Sequence, residues 1–577
     1  MSVHQKEANS FGVTDYVVFT LMLGASACIG VYFAWVDRRK KSSGNFLTGG
    51  RTLTALPVSM SLTASTMSAI AVLSNPAEVY RFGAIFGLFC ISYFLGAVIT
   101  SEIFLPVFYR LGFTSTYEYL ELRFNKTIRL LGTGIFLFQM VIINMSLWVG
   151  ISSTAAVCTF YCTLLGIMLS GFLAVIIKAV IIQGGFSVIF SDAQQGGRLN
   201  FWDFDVNPLR RHTFWTFVIG GTSICSAGYG VTPTSVQRYI ACRSVTQARL
   251  ALYINLLGIW ACFVCIVFAG LCLYSVYKDC DPWTAGLISS PDQLMPNLVM
   301  DILTVNPGLP GLFLAAVYSG SLSTVSSLIN GLAAVTVEDL IKPYFRRSER
   351  QLLVISKALS FFFGLVFIAM AGLASVLGGM LQVKPILFAP VCVLCPQGGL
   401  SGLISGVIAA LCVSLGEVFS PSPLEMTRPL PLSTAGCNFS TAPELNWTTA
   451  APPEATSLKR CFSLHVRHPM VVGWLSPSYL YYNIIGVVTA LTVGTIVSLL
   501  TGGLKQTVEP ALTFQKEDST LYHVFGFLMR TLRGDEETSQ NNNVCSFHSE
   551  QTLHGESVVK ETSFKTSTSS ELRSCDS

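Results

Sequence analysis

Between Tyr318 and Asn330 the chain reads YSGSLSTVSSLIN. On a helix of 3.6 residues per turn, Ser319, Ser323, Ser326 and Asn330 share one face, because residues three and four apart are neighbours. A strip of hydroxyls and one amide inside an apolar segment offers hard oxygen donors without a full charge. Such donors suit a monovalent cation such as sodium when carbonyls released by a broken helix complete the shell. The same strip also serves close helix packing through small residues. The two readings separate on whether a broken helix accompanies the strip.

Two stretches have that character. Residues 53–80, LTALPVSMSLTASTMSAIAVLSNPAEVY, are long enough to cross a membrane and uncharged until Glu78, yet crowded with Ser, Thr and Ala and holding Pro57 and Pro76. A lipid-facing helix is richer in Leu, Ile and Phe, whereas polar groups are tolerated where they face a path inside protein. Residues 216–230, TFVIGGTSICSAGYG, are short and interrupted by Gly220, Gly221, Gly228 and Gly230. Each stretch opens a five-span half if the two halves have opposite topology. Interrupted helices at matching places in inverted halves point to a transporter's binding site.

The elements that would carry these stretches are membrane helices. The chain has 577 residues, 51% hydrophobic and only 12% charged, about half the charge of an average soluble domain. Repeated uncharged runs of roughly 18 to 25 residues each span the bilayer core, so the chain is polytopic, with about 11–13 transmembrane helices. Basic clusters at residues 37–41 (Asp37, then Arg38 to Lys41), at Arg110, Arg123, Lys126 and Arg129, at Arg238, Arg243 and Arg249, and at Lys342 to Arg350 mark inner faces by the positive-inside rule. The expected order is an external N-terminus (residues 1–12), a transporter domain (13–500) with an external loop at 420–477, and a disordered cytoplasmic tail (504–577). The start lacks the features of a cleaved secretory signal. The nearly continuous apolar run 151–182 is expected to hold two compressed spans.

Other classes lose support. No GxxxxGK[ST], HExxH or GxSxG run occurs, and the seven His are scattered. An enzyme or a nucleotide-driven pump is therefore not expected, and uphill transport should be ion-coupled. The net charge of +4 lies between apolar runs and reports topology, giving no nucleic-acid partner. Cys392 and Cys395 form a CxxC inside FAPVCVLCP, a packing context. Cys280, Cys437 and Cys461 fall in external loops, where a disulfide could form with no pairing specified.

Longer strings carry a resemblance: RFGAIFGLF, LPVFYRLGFTSTYEYLELRFNK, NFWDFDVNPLRRHTFWT, VQRYIACRSVTQARLALYINLLG, KDCDPWTAG with PDQLMP, and SLSTVSSLINGLAAVTVEDLIKPYF. Across most of residues 11–503 the chain resembles the sodium:solute symporter family, and within it the sodium-coupled monocarboxylate cotransporters. The resemblance implies an all-α, LeuT-like inverted-repeat core and sodium as coupling ion, with no other cofactor. It implies small monocarboxylates (lactate, pyruvate, short-chain fatty acids, nicotinate) as substrates and a multi-pass place in the plasma membrane, apical in epithelia, with lipid as surroundings. Position by position, it assigns sodium to the carbonyls of Ala64 and Met67 and the hydroxyls of Ser323 and Thr324. Ser65, Ser68, Gly320 and Tyr229 are candidates for substrate or a second ion.

The chain also departs from the family's pattern. After CTFYCTL, relatives carry a TDxFQ-like stretch that contributes to the sodium sites, whereas this chain reads CTLLGIMLSGF, and a span's worth of sequence before it is missing. Thr232 and Pro233 replace an amide pair, Thr66 replaces an aromatic residue, and residues 382–400 are shortened. Two alternatives to monocarboxylate symport stay open: sodium-coupled transport of iodide or another anion, and a non-transporting member acting as sensor or partner. The external loop holds the sequons Asn438-Phe-Ser and Asn446-Trp-Thr, acceptors for N-glycans on that side. Endoglycosidase should therefore increase the gel mobility of the expressed chain, and the Asn438→Gln, Asn446→Gln double variant should already run at that position; a persisting enzyme-dependent shift in the double variant would place the glycans elsewhere.

Overall fold

The computed structural model describes residues 12–36, 51, 53–112, 116–143, 157–345, 348–377, 395–419, 424–437 and 477–502, with 509, 512–515, 518, 520 and 522. Two units are distinguished, Met1–Gln515, which holds the helices named below, and Lys516–Ser577. The glycosylation candidates Asn438 and Asn446, Cys392, Cys461 and nearly all of the tail lie outside the described residues.

Among the described residues the regular secondary structure is helical apart from one isolated parallel bridge, Leu53 to Cys242. In chain order the helices are α1 (Val13–Val36), α2 (Ala55–Thr66), α3 (Ala69–Phe82) and α4 (Ala84–Leu111), the last interrupted by a π-helical turn at Thr100–Phe104. There follow α5 (Thr116–Arg123), α6 (Lys126–Ile143), α7 (Val157–Gln183) and α8 (Phe186–Gln195). After a π-helical turn at Thr216–Gly221 come α9 (Thr222–Gly230), α10 (Pro233–Ile240), α11 (Val245–Tyr277) and α12 (Leu294–Leu303). The set closes with α13 (Leu309–Val335, then a π turn at Thr336–Ile341), α14 (Glu349–Leu377), α15 (Pro396–Phe419) and α16 (Tyr482–Leu500). Among the described residues five helices are long and apolar enough to cross a membrane, or up to seven when each bent pair counts as one span.

The expected broken span is present: α2 and the Ala71–Phe82 part of α3 meet at 59°. The two-span expectation for residues 151–182 is corrected. α7 is one unbroken helix of 27 residues, about 40 Å at 1.5 Å per residue. Gly166 and Gly171 stay helical, and the chain turns only at Gly184 and Gly185, whose φ values of +89° and +134° carry it by 84° into α8.

α11 is the central post. Its Gly270 lies so close to α3 that an added Cβ would sit 2.5 Å from Val79 Cβ and 2.8 Å from the Pro76 carbonyl. Ser244 caps the other end of α11 by accepting from the Gln247 amide. α1 seats on the start of α13 through Asp15, whose Oδ1 accepts from the amides of Gly308 (2.9 Å) and Gly311 (3.2 Å), a carboxylate at a helix N-terminus. α15 and α16 touch through small residues, Gly402 against the Ala490 carbonyl and Gly406 against that of Gly486. That is how helices associate where lipid removes the hydrophobic drive.

A knot of loops closes the end of the bundle at which α3 finishes. Cys280 is disulfide-bonded to Cys437, which supplies the pairing that sequence left open. The amide of Asp281 donates to the Ser433 carbonyl, Gly436 to Asp279 and Leu430 to Arg81. Closing a loop of 157 residues constrains the unfolded chain, a contribution of about 2–4 kcal/mol. Replacing both Cys280 and Cys437 by Ser should lower the thermal unfolding midpoint of the purified protein and make it insensitive to added reductant, while the parent loses stability on reduction; equal midpoints for parent and variant would show that the bridge does not form.

Candidate functional site

The break between α2 and α3 grows out of its own side chains. Ser65 and Thr66 turn their hydroxyls back onto the Leu62 carbonyl (3.0 and 2.9 Å), and Thr63 does the same to Ser59 (3.0 Å). Such bonds compete with the backbone ladder and loosen a helix. Met67 then leaves the helical region (φ −83°, ψ 83°) and Ser68 is extended (φ −87°, ψ 176°). The Met67 amide donates to Thr63 and the Ser68 amide to Thr66. The two amides that would serve the Ala64 carbonyl in an unbroken helix are therefore engaged elsewhere, and among the described residues no loop or cap amide bond reaches the Met67 carbonyl. Ser68 caps α3 without closing its hydroxyl on the first turn, so the first amides of α3 point their partial positive charge into the break.

Four neighbouring elements converge on this break. From α13, Thr324 Oγ1 donates to the Ser65 carbonyl at 3.1 Å. From α9, the buried Tyr229 brings its hydroxyl to 3.4 Å from Thr66 Oγ1. From α11, Asn255 Oδ1 accepts from Thr63 Oγ1 at 2.9 Å, and Asn255 is itself buried. α10 contributes Arg238, which donates to the Ser61 carbonyl at 3.0 Å and to Ser65 Oγ. The structure thus gathers Ala64, Ser65, Met67, Ser68, Thr324 and Tyr229 in one neighbourhood. Ser323 and Gly320 lie on α13 beside Thr324, and the surroundings of their side chains, like those of Ser319 and Ser326, are outside the described residues.

Both halves of the broken helix are anchored. At its far end Tyr80 donates to Asp281 Oδ1 at 2.7 Å. Arg198, fully buried, donates to the carbonyls of Tyr80 (3.3 Å), Gly196 (2.7 Å) and Pro431 (2.8 Å) and stacks over the Tyr274 ring. Burial pulls its guanidinium below the ordinary arginine value, and the carbonyl dipoles together with the ring face hold the charge there. At the near end Leu53 exchanges backbone bonds with Ala241 and Arg243, and the Ala55 amide donates to Gln247. α13 is fixed in turn by Arg129 of α6, which binds Asp339 through Nε (2.9 Å) and Nη2 (2.5 Å) and also pairs with Glu121. Asp339 is completely buried, so removing Arg129 would strand an uncompensated charge.

Sequence reasoning missed Arg238, Asn255 and the Arg129–Asp339 pair as parts of this arrangement. Asn255 had a readable signal, an amide inside the apolar run 250–277. Arg238 and Arg129 had none beyond membership of basic clusters.

Carbonyls and a hydroxyl at a helix break are the kind of group that can coordinate a hard monovalent cation, and a helix N-terminus can receive an anion. The Sodium:solute symporter family profile matches residues 46–199 and 163–389. Sodium-coupled monocarboxylate transporter 1 of Xenopus laevis is 50% identical over 573 residues, covering 92% of this chain and 92% of its own. The chain belongs to the sodium:solute symporter family. The human protein of the same name is 51% identical over 555 residues, covering 88% of this chain and 90% of its own. The human sodium/iodide cotransporter is 40% identical over 562 residues, covering 89% and 87%. Among solved structures, a Na+-coupled sialic acid symporter in a substrate-bound outward-open state aligns with a TM-score of 0.63 at 19% identity, over 85% of this chain and 98% of that one. At that identity the likeness is one of fold, and the fold is the LeuT-like inverted-repeat bundle. This symporter-family chain is thus a multi-pass helical membrane protein.

Proposed function

We propose that this chain is an electrogenic symporter that uses sodium to carry small monocarboxylates, such as lactate, pyruvate, short-chain fatty acids and nicotinate, into the cell across the plasma membrane. The observation that carries the reading is the break itself: an Ala64 carbonyl whose helical amides are engaged elsewhere and a Met67 carbonyl that no loop or cap amide reaches among the described residues, facing a helix whose Thr324 already touches Ser65, in a chain half identical to named monocarboxylate transporters. Sodium sits against those carbonyls with Thr324 and Ser323. The Thr324 hydroxyl donates its proton to the Ser65 carbonyl, and a hydroxyl oxygen that donates can also coordinate a cation. The substrate carboxylate lies toward the N-terminus of α3, near Ser68, with Ser65, Gly320 and Tyr229 around it, and needs no fully charged side chain to hold it.

Two independent features support the proposed sidedness. A disulfide such as Cys280–Cys437 is at home in an oxidising compartment, which favours having that end outside, with the N-terminus. The end carrying Arg110, Arg238 and Arg243 faces the cytoplasm by the positive-inside rule. Movement of sodium inward then gains about 2.3 kcal/mol per charge per 100 mV of membrane potential. The human iodide cotransporter is less identical than the monocarboxylate transporters, which favours carboxylate over iodide.

In voltage-clamped cells expressing the chain at the surface, lactate or butyrate should evoke an inward current that vanishes when choline replaces sodium. Thr324→Ala should raise the sodium concentration for half-maximal current several-fold at unchanged surface expression. Surface protein without any substrate-evoked current would instead support a non-transporting sensor, the role that the missing TDxFQ-like segment favours, and an unchanged sodium dependence in Thr324→Ala would remove that residue from the ion's shell.

A further inference from the structure

Beyond α16 the chain comes back to the bundle. Leu512 is only 6% exposed, its amide closes a turn on the Glu509 carbonyl, and its own carbonyl accepts the hydroxyl of Tyr119, on α5, at 3.0 Å. Tyr119 is buried as well, and its ring meets Phe108 of α4 edge-on, with centroids 5.8 Å apart. An apolar side chain out of water and a buried hydroxyl bonded to a main-chain carbonyl seat this tail residue in two ways at once. The contact lies at the end of the bundle assigned above to the cytoplasm, since α5 stands between Arg110 and Arg129.

α5 passes the contact on. Its Tyr117 packs on Phe136 of α6 at 5.6 Å and joins the cluster that Val325, Ile329 and Leu332 of α13 complete. Its Glu121 pairs with Arg129, which binds Asp339 just past α13. Phe124, one residue after α5, lies so close to α15 that a Cβ on Gly399 would sit 2.9 Å from its ring. The tail residue, α4, α6, α13 and α15 therefore meet through one short helix, and α13 carries the Thr324 that touches the break. At the same end Tyr109 of α4 donates to the Cys242 carbonyl at 3.0 Å, and Cys242, bridged to Leu53 at the start of α2, is completely buried.

One leucine and one hydrogen bond, set against the cost of ordering the chain that carries them, make a contact near balance, which suits a part that is made and released. We propose that Leu512 is a latch: seated on Tyr119 it holds α5 in place and keeps the cytoplasmic end closed over Cys242, and released it lets that end open. The tail thereby regulates the transporter from the cytoplasm, an inference that rests on the sidedness and symport reading given above. Each molecule open to the cytoplasm is withdrawn from those able to take sodium from outside, so unlatching lowers the apparent affinity for external sodium by that fraction.

The test reads the Cys242 thiol, whose exposure is measured without transport. Membranes holding the full-length chain are treated with a membrane-permeant maleimide in choline buffer, and modification of the Cys242 peptide is followed by mass spectrometry. Leu512→Ala should raise the rate about five-fold and Tyr119→Phe about two-fold, and the double variant should be no faster than Leu512→Ala because both break one contact. Leu512→Met should stay with the parent. Leu298→Ala, which truncates a buried leucine of α12, should also leave the rate unchanged and so separates unlatching from general loosening. Under voltage clamp Leu512→Ala should raise the external sodium for half-maximal lactate current several-fold at unchanged surface expression. Unchanged Cys242 labelling in Leu512→Ala and Tyr119→Phe, or an equal acceleration in Leu298→Ala, would overturn the latch. A parent chain without sodium-dependent current would overturn the transport reading instead, with the labelling result still deciding the latch.

Discussion

A backbone carbonyl in a membrane interior must find a partner, because water is absent and each unsatisfied group costs several kcal/mol. At the junction of α2 and α3 the amides that would serve the Ala64 carbonyl turn to Thr63 and Thr66, and among the described residues no loop or cap amide bond reaches the Met67 carbonyl. The arrangement around them follows from that constraint. The break is tolerated because hydroxyls of Thr63, Ser65 and Thr66 satisfy neighbouring carbonyls from within the helix. Thr324, Tyr229, Asn255 and Arg238 close around the same few residues from four other helices. On the proposed reading, a cation would supply the partner for the Ala64 and Met67 carbonyls, which would make the ion part of what holds the break together.

A site made of loose backbone is useful only if its two walls are rigid. The far end of α3 is tied by Arg198, Asp281 and the disulfide-closed loops, and the near end of α2 by the bridge to Cys242 and by Gln247. α13 is held at one end by Asp15 against α1 and at the other by Arg129 against Asp339. Three of these four anchors carry charge, and each meets it with hydrogen bonds or an opposite charge. Interior charge thus serves position, while the centre offers neutral oxygen. Arg238 brings a positive group beside that centre, bonded to Ser61 and Ser65.

Much of this was legible in the sequence, and the misses have physical causes. The stretch 53–80 announced a broken helix because Ser, Thr and Pro crowd a segment with no charge to solvate. The place of the break, Met67–Ser68, was not readable from composition, since several Ser and Thr compete for the same carbonyls; family resemblance supplied it. Residues 151–182 misled because an apolar run carries no mark of where a helix stops, and the two glycines that end α7 lie just past it. Ion pairs such as Arg129–Asp339, 210 residues apart, and the convergence of Arg198 on three carbonyls from separate segments depend on tertiary packing that periodicity does not encode. The Cys280–Cys437 pairing belongs to the same class.

The most direct measurement is an experimental structure of the protein in saturating sodium, compared with one in which choline replaces it. The account predicts ion density in the sodium form bounded by the Ala64 and Met67 carbonyls and Thr324 Oγ1, absent in choline. Sodium density elsewhere, with the Ala64 and Met67 carbonyls taken up by protein donors in both conditions, would contradict it.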